Sequence, residues 1–270
     1  MSRALVLAGV VVAVVALALT ACAPAKNDPA GFLTGARVDY QLGEAYPPAA
    51  GVTVVVRDRT AAPAEGVSSI CYVNAFQTQP GESADWPDGT LLERDAVPVV
   101  DPDWPDERLV DTSTADKRER IVEHVAPWIR GCAASGFQAV EFDNLDTFTR
   151  TDGALTFADN AAVAAELVAV AHAAGLAAGQ KNAAEFAADL RDAAGFDFAV
   201  AEECAAYEEC AAYTDVYGAR VIDIEYTDQL PRTFAEMCAD EATPAATLLR
   251  DRQLSAPGAA EYAYESCSAG

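Results

Sequence analysis

The sequence predicts a single-domain α/β fold of the TIM type, a (β/α)8 barrel. Three observations carry this. Eight short, largely apolar segments alternate with stretches of helical periodicity, the pattern of a parallel sheet. Once an N-terminal targeting segment is set aside, roughly 250 of the 270 residues remain, a usual length for one such barrel. No glycine-rich phosphate loop follows the first strand, which removes the commonest reason to prefer a doubly wound sheet.

The elements follow in order. Arg3 and the apolar run Ala4 to Leu19 read as a signal segment, too short to span a membrane comfortably. Leu19-Thr20-Ala21-Cys22 matches a lipoprotein cleavage site, so residues 1–21 are expected to be removed and Cys22 to carry lipid. Residues 22–33 then form a tether and residues 34–270 the barrel. Strands are expected at Val38–Leu42, Val52–Val56, Ser69–Phe76, Gln138–Asp143, Leu176–Asn182, Phe196–Glu202, Val221–Tyr226 and Ala246–Asp251. Helices are expected from about Thr114 to Gly136, from Asp159 to Ala174, from Glu185 to Ala194 and from Phe234 to Asp240. Residues 77–112 form a long acidic, proline-rich loop, a length that in a compact domain usually carries function.

The net charge of −24 argues against nucleic acid and against electrostatic attachment to anionic lipid. It admits a cationic partner. Membrane contact is expected only through lipid on Cys22, at the outer face of the cell membrane. The remaining cysteines form an even set in an exported chain, which points to disulfides. Barrel topology suggests Cys71 with Cys132, Cys204 with Cys210, and Cys238 with Cys267. His124 and His172, the two histidines, lie in helical patterns, and no cysteine spacing fits zinc, so no metal or cofactor is expected. A monomer is expected.

Strand ends carry the chemistry. Val140 and Phe142 alternate with Glu141, and then Asp143, Asn144 and Asp146 crowd into a turn. Asp58, Lys181, Glu202 and Glu225 likewise close separate strands, and in a barrel those ends meet at one mouth. Asp58 reads as a loop cap. Two carboxylates on different strands at one mouth suit glycoside hydrolysis, with one attacking the anomeric carbon and the other protonating the leaving oxygen. Asp143 and Glu202 are the best pair, with Glu203 or Glu225 available to raise the pKa of the acid.

These residues resemble the glycoside hydrolase family 114 domain, of the endo-α-1,4-polygalactosaminidase type. The likeness runs in order through Ile70-Cys71-Tyr72, Trp104-Pro105-Asp106-Glu107-Arg108-Leu109-Val110-Asp111 and Gly136-Phe137-Gln138-Ala139-Val140-Glu141-Phe142-Asp143-Asn144-Leu145-Asp146. It continues through Ala171-His172-Ala173-Ala174-Gly175-Leu176, Lys181-Asn182, the run Phe196 to Cys204, Tyr207 to Cys210, and Glu225-Tyr226. The resemblance implies a barrel that cleaves α-1,4-linked galactosamine polymers without a metal. It implies Asp143 as nucleophile and Glu202 as acid/base. Asp39, Gln41, Tyr72, Asn144, Asp146, Lys181, Asn182, Glu225 and Tyr226 would line a substrate cleft for a cationic amino-sugar polysaccharide. Two departures leave both acids in place: Ala201 stands where the family pattern has asparagine, and Asn74-Ala75-Phe76-Gln77 replaces a stretch of smaller residues ending in an acid. The competing expectations are a non-catalytic carbohydrate-binding lipoprotein on the same barrel and an acidic surface protein whose role is structural or partner-binding. Both acids being present favours the enzyme.

Overall fold

All eight expected strands form in the computed structural model, which describes residues 28–267 and Met1. In chain order the elements are β1 (Val38–Gln41), β2 (Val54–Asp58), β3 (Ser68–Asn74), β4 (Glu93–Arg94), β5 (Val97–Pro98), α1 (Ala115–Ser135), β6 (Ala139–Asp143), α2 (Phe157–Ala173), β7 (Ala177–Lys181), α3 (Ala187–Ala194), β8 (Phe198–Glu202), α4 (Cys210–Tyr217), β9 (Val221–Tyr226), α5 (Phe234–Cys238), β10 (Ala246–Arg250) and β11 (Tyr264–Ser266). The signal segment beyond Met1, Cys22 and the tether as far as residue 27 lie outside the described residues. The described end of the tether packs against the barrel, with Ala30 and Leu33 buried among residues of the barrel interior.

The sheet order is β1-β2-β3-β6-β7-β8-β9-β10-β11, parallel throughout except for β11 against β10. The ring is nearly closed. At its seam the fully buried Arg250 of β10 donates to Tyr40 O and, at 3.2 Å, to Asp39 Oδ1 of β1. Tyr264 of β11 donates to Val38 O at 3.0 Å. Side chains thus do what a ladder does elsewhere in the ring. Short loops, not helices, connect β1, β2 and β3. Among the described residues no helix is long and apolar enough to cross a membrane.

Side-chain parity divides the core in two. Tyr40, Val56, Ile70, Tyr72, Ala139, Phe198, Val200, Ile224 and Leu248 fill the barrel. Val73, Val140, Phe142, Ala199 and Leu249 face outward against Ile121, Val125 and Ile129 of α1, Val163 and Leu167 of α2, and Leu190 of α3. At one point the interior tolerates no Cβ: an atom added at Gly179 would come within 2.4 Å of the Phe198 ring, so glycine leaves the room that phenylalanine fills. Helix ends follow local chemistry. Thr114 Oγ1 accepts from Lys117 N to open α1, and Gly136 closes it at φ 99°. Thr156 and Asp159 form a capping box on α2.

The three disulfides are Cys71–Cys132, Cys204–Cys210 and Cys238–Cys267. The first ties the middle of β3 to α1, the second closes the loop after β8, and the third pins the chain beyond β11 to α5. The long loop has structure of its own. It folds the β4–β5 hairpin and buries Leu92 and Leu109 against Leu155, which holds it over the barrel mouth.

Candidate active site

At the C-terminal end of the strands lies a cleft of about 690 Å3. Asp143 closes β6, Lys181 closes β7 and Glu202 closes β8. In each case the next residue is in the left-handed region: Asn144 at φ 62°, Asn182 at φ 51° and Glu203 at φ 61°. The chain therefore turns away sharply at the point where the functional side chain faces the axis. Asparagine tolerates that conformation. Glutamate does so at a cost of about 1–3 kcal/mol, the kind of strain that collects at functional sites.

Lys181 is the hub. It is buried, and its Nζ lies 3.7 Å from Asp143 Oδ2 and 3.2 Å from Glu202 Oε2. Those two contacts laid end to end cap the separation of the two oxygens at roughly 7 Å, near the low end of the about 6.5–9.5 Å of an inverting pair and compatible with the about 5–5.5 Å of a retaining one. Tyr72 donates to Asp143 Oδ2 at 2.7 Å, and the Asn144 backbone N–H donates to Oδ1 at 2.8 Å. Tyr226 donates to Glu202 Oε1, and Asn182 donates to Oε2 at 2.7 Å. Both carboxylates are thus fixed by phenol, amide and ammonium donors.

A second tier lies beneath. Glu141, two residues before Asp143 on β6, points into the barrel and is fully buried. Tyr40 donates to its Oε1 and accepts from Lys181 Nζ at 3.3 Å, while Oε2 has no partner. Burial pushes the Glu141 carboxyl up, and although Lys181 and Tyr40 pull it down it settles at about 7. For Lys181, burial favours the neutral amine, but Asp143, Glu202 and Glu141 outweigh it and hold the ammonium charged well above its ordinary range. For Glu202, burial pushes upward, and Lys181 with the hydrogen bonds of Tyr226 and Asn182 more than reverses it, so the carboxyl sits below its ordinary value. Burial, reinforced by the adjacent carboxylates, keeps the Tyr72 and Tyr226 phenols protonated as donors.

Of the expected cleft residues, Tyr72, Asn144, Asp146, Lys181, Asn182 and Tyr226 line the cleft with Asp143 and Glu202. Asn144 and Asp146 are held there by Arg150, which donates to both at 2.8 Å and to Asp101 at 2.7 Å. Asp39, Gln41 and Glu225 do not line it. Strand parity turns Asp39 and Gln41 outward, into a buried network with Arg57, Tyr46 and Arg250. Tyr40 takes the inward position between them. Glu225 is likewise outward, where its Oε1 accepts from the backbone N–H groups of Ala205 and Ala206 at 2.9 and 3.2 Å. It shares this outer site with Asp223, whose carboxyl is pushed well up by burial and by Glu225. Its work is to hold the disulfide-closed loop beside Glu202. Glu203 does not act on the acid either, since Arg252 binds it at 2.8 Å.

The long loop supplies what sequence patterning missed: Asp101, Asp103, Trp104 and Glu107 all line the cleft, with Asp58 and Arg252 on other walls. Seven carboxylates and three cations border it, an excess of four negative charges when all are ionised. The signal was in the sequence as the Trp104-Pro105-Asp106-Glu107 run, but nothing local says which of those side chains turns inward.

A family model described as Glycoside-hydrolase family GH114 matches residues 17–270. The solved structure of Ega3 from Aspergillus fumigatus in complex with galactosamine is similar in fold, with a TM-score of 0.69 and 21% identity over 87% of this chain and 96% of that one. The glycoside hydrolase domain of PelA from Pseudomonas aeruginosa is similar at a TM-score of 0.53 and 13% identity, over 84% of this chain and 99% of that one. No curated protein matches the sequence.

Proposed function

The chain belongs to glycoside-hydrolase family GH114, and from that premise we propose that it cleaves α-1,4-linked galactosamine-type polysaccharide with net retention, using Asp143 as nucleophile and Glu202 as acid/base. The observation that carries this is the single ammonium of Lys181 within 3.7 Å of one acid and 3.2 Å of the other, which sets both on one rim. In the first step an Asp143 oxygen forms a bond to the anomeric carbon while the bond from that carbon to the leaving sugar breaks. Glu202 gives its proton to the departing oxygen. In the second step Glu202, now a carboxylate, takes a proton from water as the water oxygen attacks the same carbon and releases Asp143. Tyr72 and Lys181 steady the Asp143 charge before attack and after release. The surplus of carboxylates favours an amine-bearing chain, as does the galactosamine bound by Ega3.

Glu202 sits below its ordinary value, so the proton-bearing form that the first step needs is populated only in acid. The rate is therefore expected to fall as pH rises from the acidic side. Release of reducing ends from α-1,4-polygalactosamine, set beside chitosan and a neutral α-1,4-glucan over a range of pH, tests the substrate assignment. Release from the galactosamine polymer with an acidic optimum is expected. No release from either amino-sugar polymer sinks the enzyme assignment and leaves a carbohydrate-binding protein.

Export and lipid anchoring rest on Leu19-Thr20-Ala21-Cys22. Expressed from its own leader, the wild type is expected in the membrane fraction and Cys22→Ala in the soluble one. Equal partition of the two excludes the anchor.

A further inference from the structure

We propose that Glu107 is the group that receives the sugar ammonium next to the bond being cleaved, and that it makes the cleft selective for free amines over N-acetylated residues. The inference rests on the galactosamine-polymer reading above and names the side chain that enforces it. Glu107 is singled out by its partners. Among the seven carboxylates of the cleft, Asp143 and Glu202 share Lys181, while Asp101 and Asp146 share Arg150. Asp58 is occupied by Thr60 and Gln79. Asp103 is exposed to water. Glu107 is half-buried and has no cation within ion-pair distance among the described residues.

Its setting is built. Gln77 donates to Oε2 at 2.8 Å and Asn74 donates to the same oxygen at 3.3 Å. Oε1 receives no protein donor among the described residues and is not among the sealed polar atoms, so it is open to the cleft. Asn74 is itself oriented by Asn144, which donates to its Oδ1 at 3.0 Å, and this leaves its amide N–H for Glu107. Asn74 on β3 is the register partner of Asp143 on β6. A short chain of amides therefore ties Glu107 to the turn beside the nucleophile. An amine on the carbon next to the one Asp143 attacks would lie on this side of the cleft, within the reach that the amide chain gives Glu107.

The energetics agree. Burial pushes the Glu107 carboxyl up, and Asp143 and Asp101 push it further, against the pull of Gln77 and Asn74. Ionising it is therefore costly, and an ammonium at Oε1 offsets the cost through a charge-assisted hydrogen bond. An N-acetyl group carries no charge to give, and it brings bulk to the same place.

Glu107→Gln keeps an oxygen for Gln77 and Asn74 and removes the charge. The test is kcat/KM of wild type and Glu107→Gln on a free-amine α-1,4-galactosamine oligomer and on its fully N-acetylated counterpart, with thermal unfolding as a check on folding. On the free-amine oligomer the variant is expected to lose about tenfold to a hundredfold, mostly in KM, the range of a charged hydrogen bond. On the N-acetylated oligomer it is expected to match or exceed wild type, so the ratio between substrates collapses. A wild-type ratio in a folded variant overturns the role of Glu107 while leaving the substrate reading intact. A wild type that cleaves neither oligomer overturns both.

Discussion

Glu202→Gln is expected to lower kcat on α-1,4-polygalactosamine by about 10²–10⁴-fold, the range for losing a positioned acid/base. Asp143→Asn is expected to cost more, because it removes the covalent route altogether. Both substitutions keep shape. Asn at 143 still accepts from Tyr72, and Gln at 202, with one acceptor oxygen in place of two, keeps one of the hydrogen bonds from Tyr226 and Asn182, so thermal unfolding of both variants accompanies the kinetics. The two variants are expected to part on an activated substrate. With a fluoride leaving group no proton is needed for departure, so Glu202→Gln still forms its glycosyl intermediate and Asp143→Asn does not. Azide, which needs no general base, is expected to restore turnover to Glu202→Gln alone. Single-turnover kinetics on the fluoride, with and without azide, check this. Equal recovery of both variants would exchange or discard the assigned roles.

The second large effect is on stability. Glu141 has an ordinary value of 4.5 and sits at about 7 in the folded barrel. Its folded value is raised, so the native state holds a proton that the unfolded chain gives up. That contribution is fully present below the unfolded value and is lost as pH rises through about 7. At about 1.4 kcal/mol per unit, the wild type forfeits on the order of 3 kcal/mol across this window. Gln at 141 cannot ionise and still accepts from Tyr40. Relative to wild type, Glu141→Gln is therefore expected to gain about 3 kcal/mol between about pH 4 and pH 8, whatever fixed offset its extra N–H brings. Urea unfolding at both pH values, with unchanged m, measures it. A pH-independent offset would mean that Glu141 is not the buried titrating group.

What the sequence disclosed, and what it withheld, follows from how local each feature is. An apolar strand that ends in a charged residue before a turn is readable from a few residues, and Asp143, Lys181 and Glu202 all carry that local signal. The disulfides were readable because barrel topology leaves few partners within reach. Parity was not. In Val38-Asp39-Tyr40-Gln41 all four residues are buried, so alternation names two faces without saying which one is the barrel interior. Asp39 and Gln41, which the family resemblance puts in the cleft, and Glu225, which its strand end puts at the mouth, all turn to the outward face, where Tyr40 and Tyr226 beside them turn inward. Burial of Asp39 needs Arg250, 211 residues away, a pairing that no window of sequence contains. Glu141 looks like a solvent-side residue of its strand and is the deepest carboxylate of the site. Glu107, and the ion pair of Arg150 with Asp101, depend on contacts made only when the long loop folds over the mouth. The short strands β4, β5 and β11 carry too few residues to show a period.

Everything in this mechanism converges on a bond between Asp143 and the anomeric carbon. Glu202→Gln mixed with α-galactosaminyl fluoride should trap it, since attack proceeds without an acid and hydrolysis stalls without a base. Peptide mass spectrometry is expected to find one galactosaminyl residue on the peptide carrying Asp143. An unmodified Asp143, with the label on another side chain or on none, would contradict the assignment.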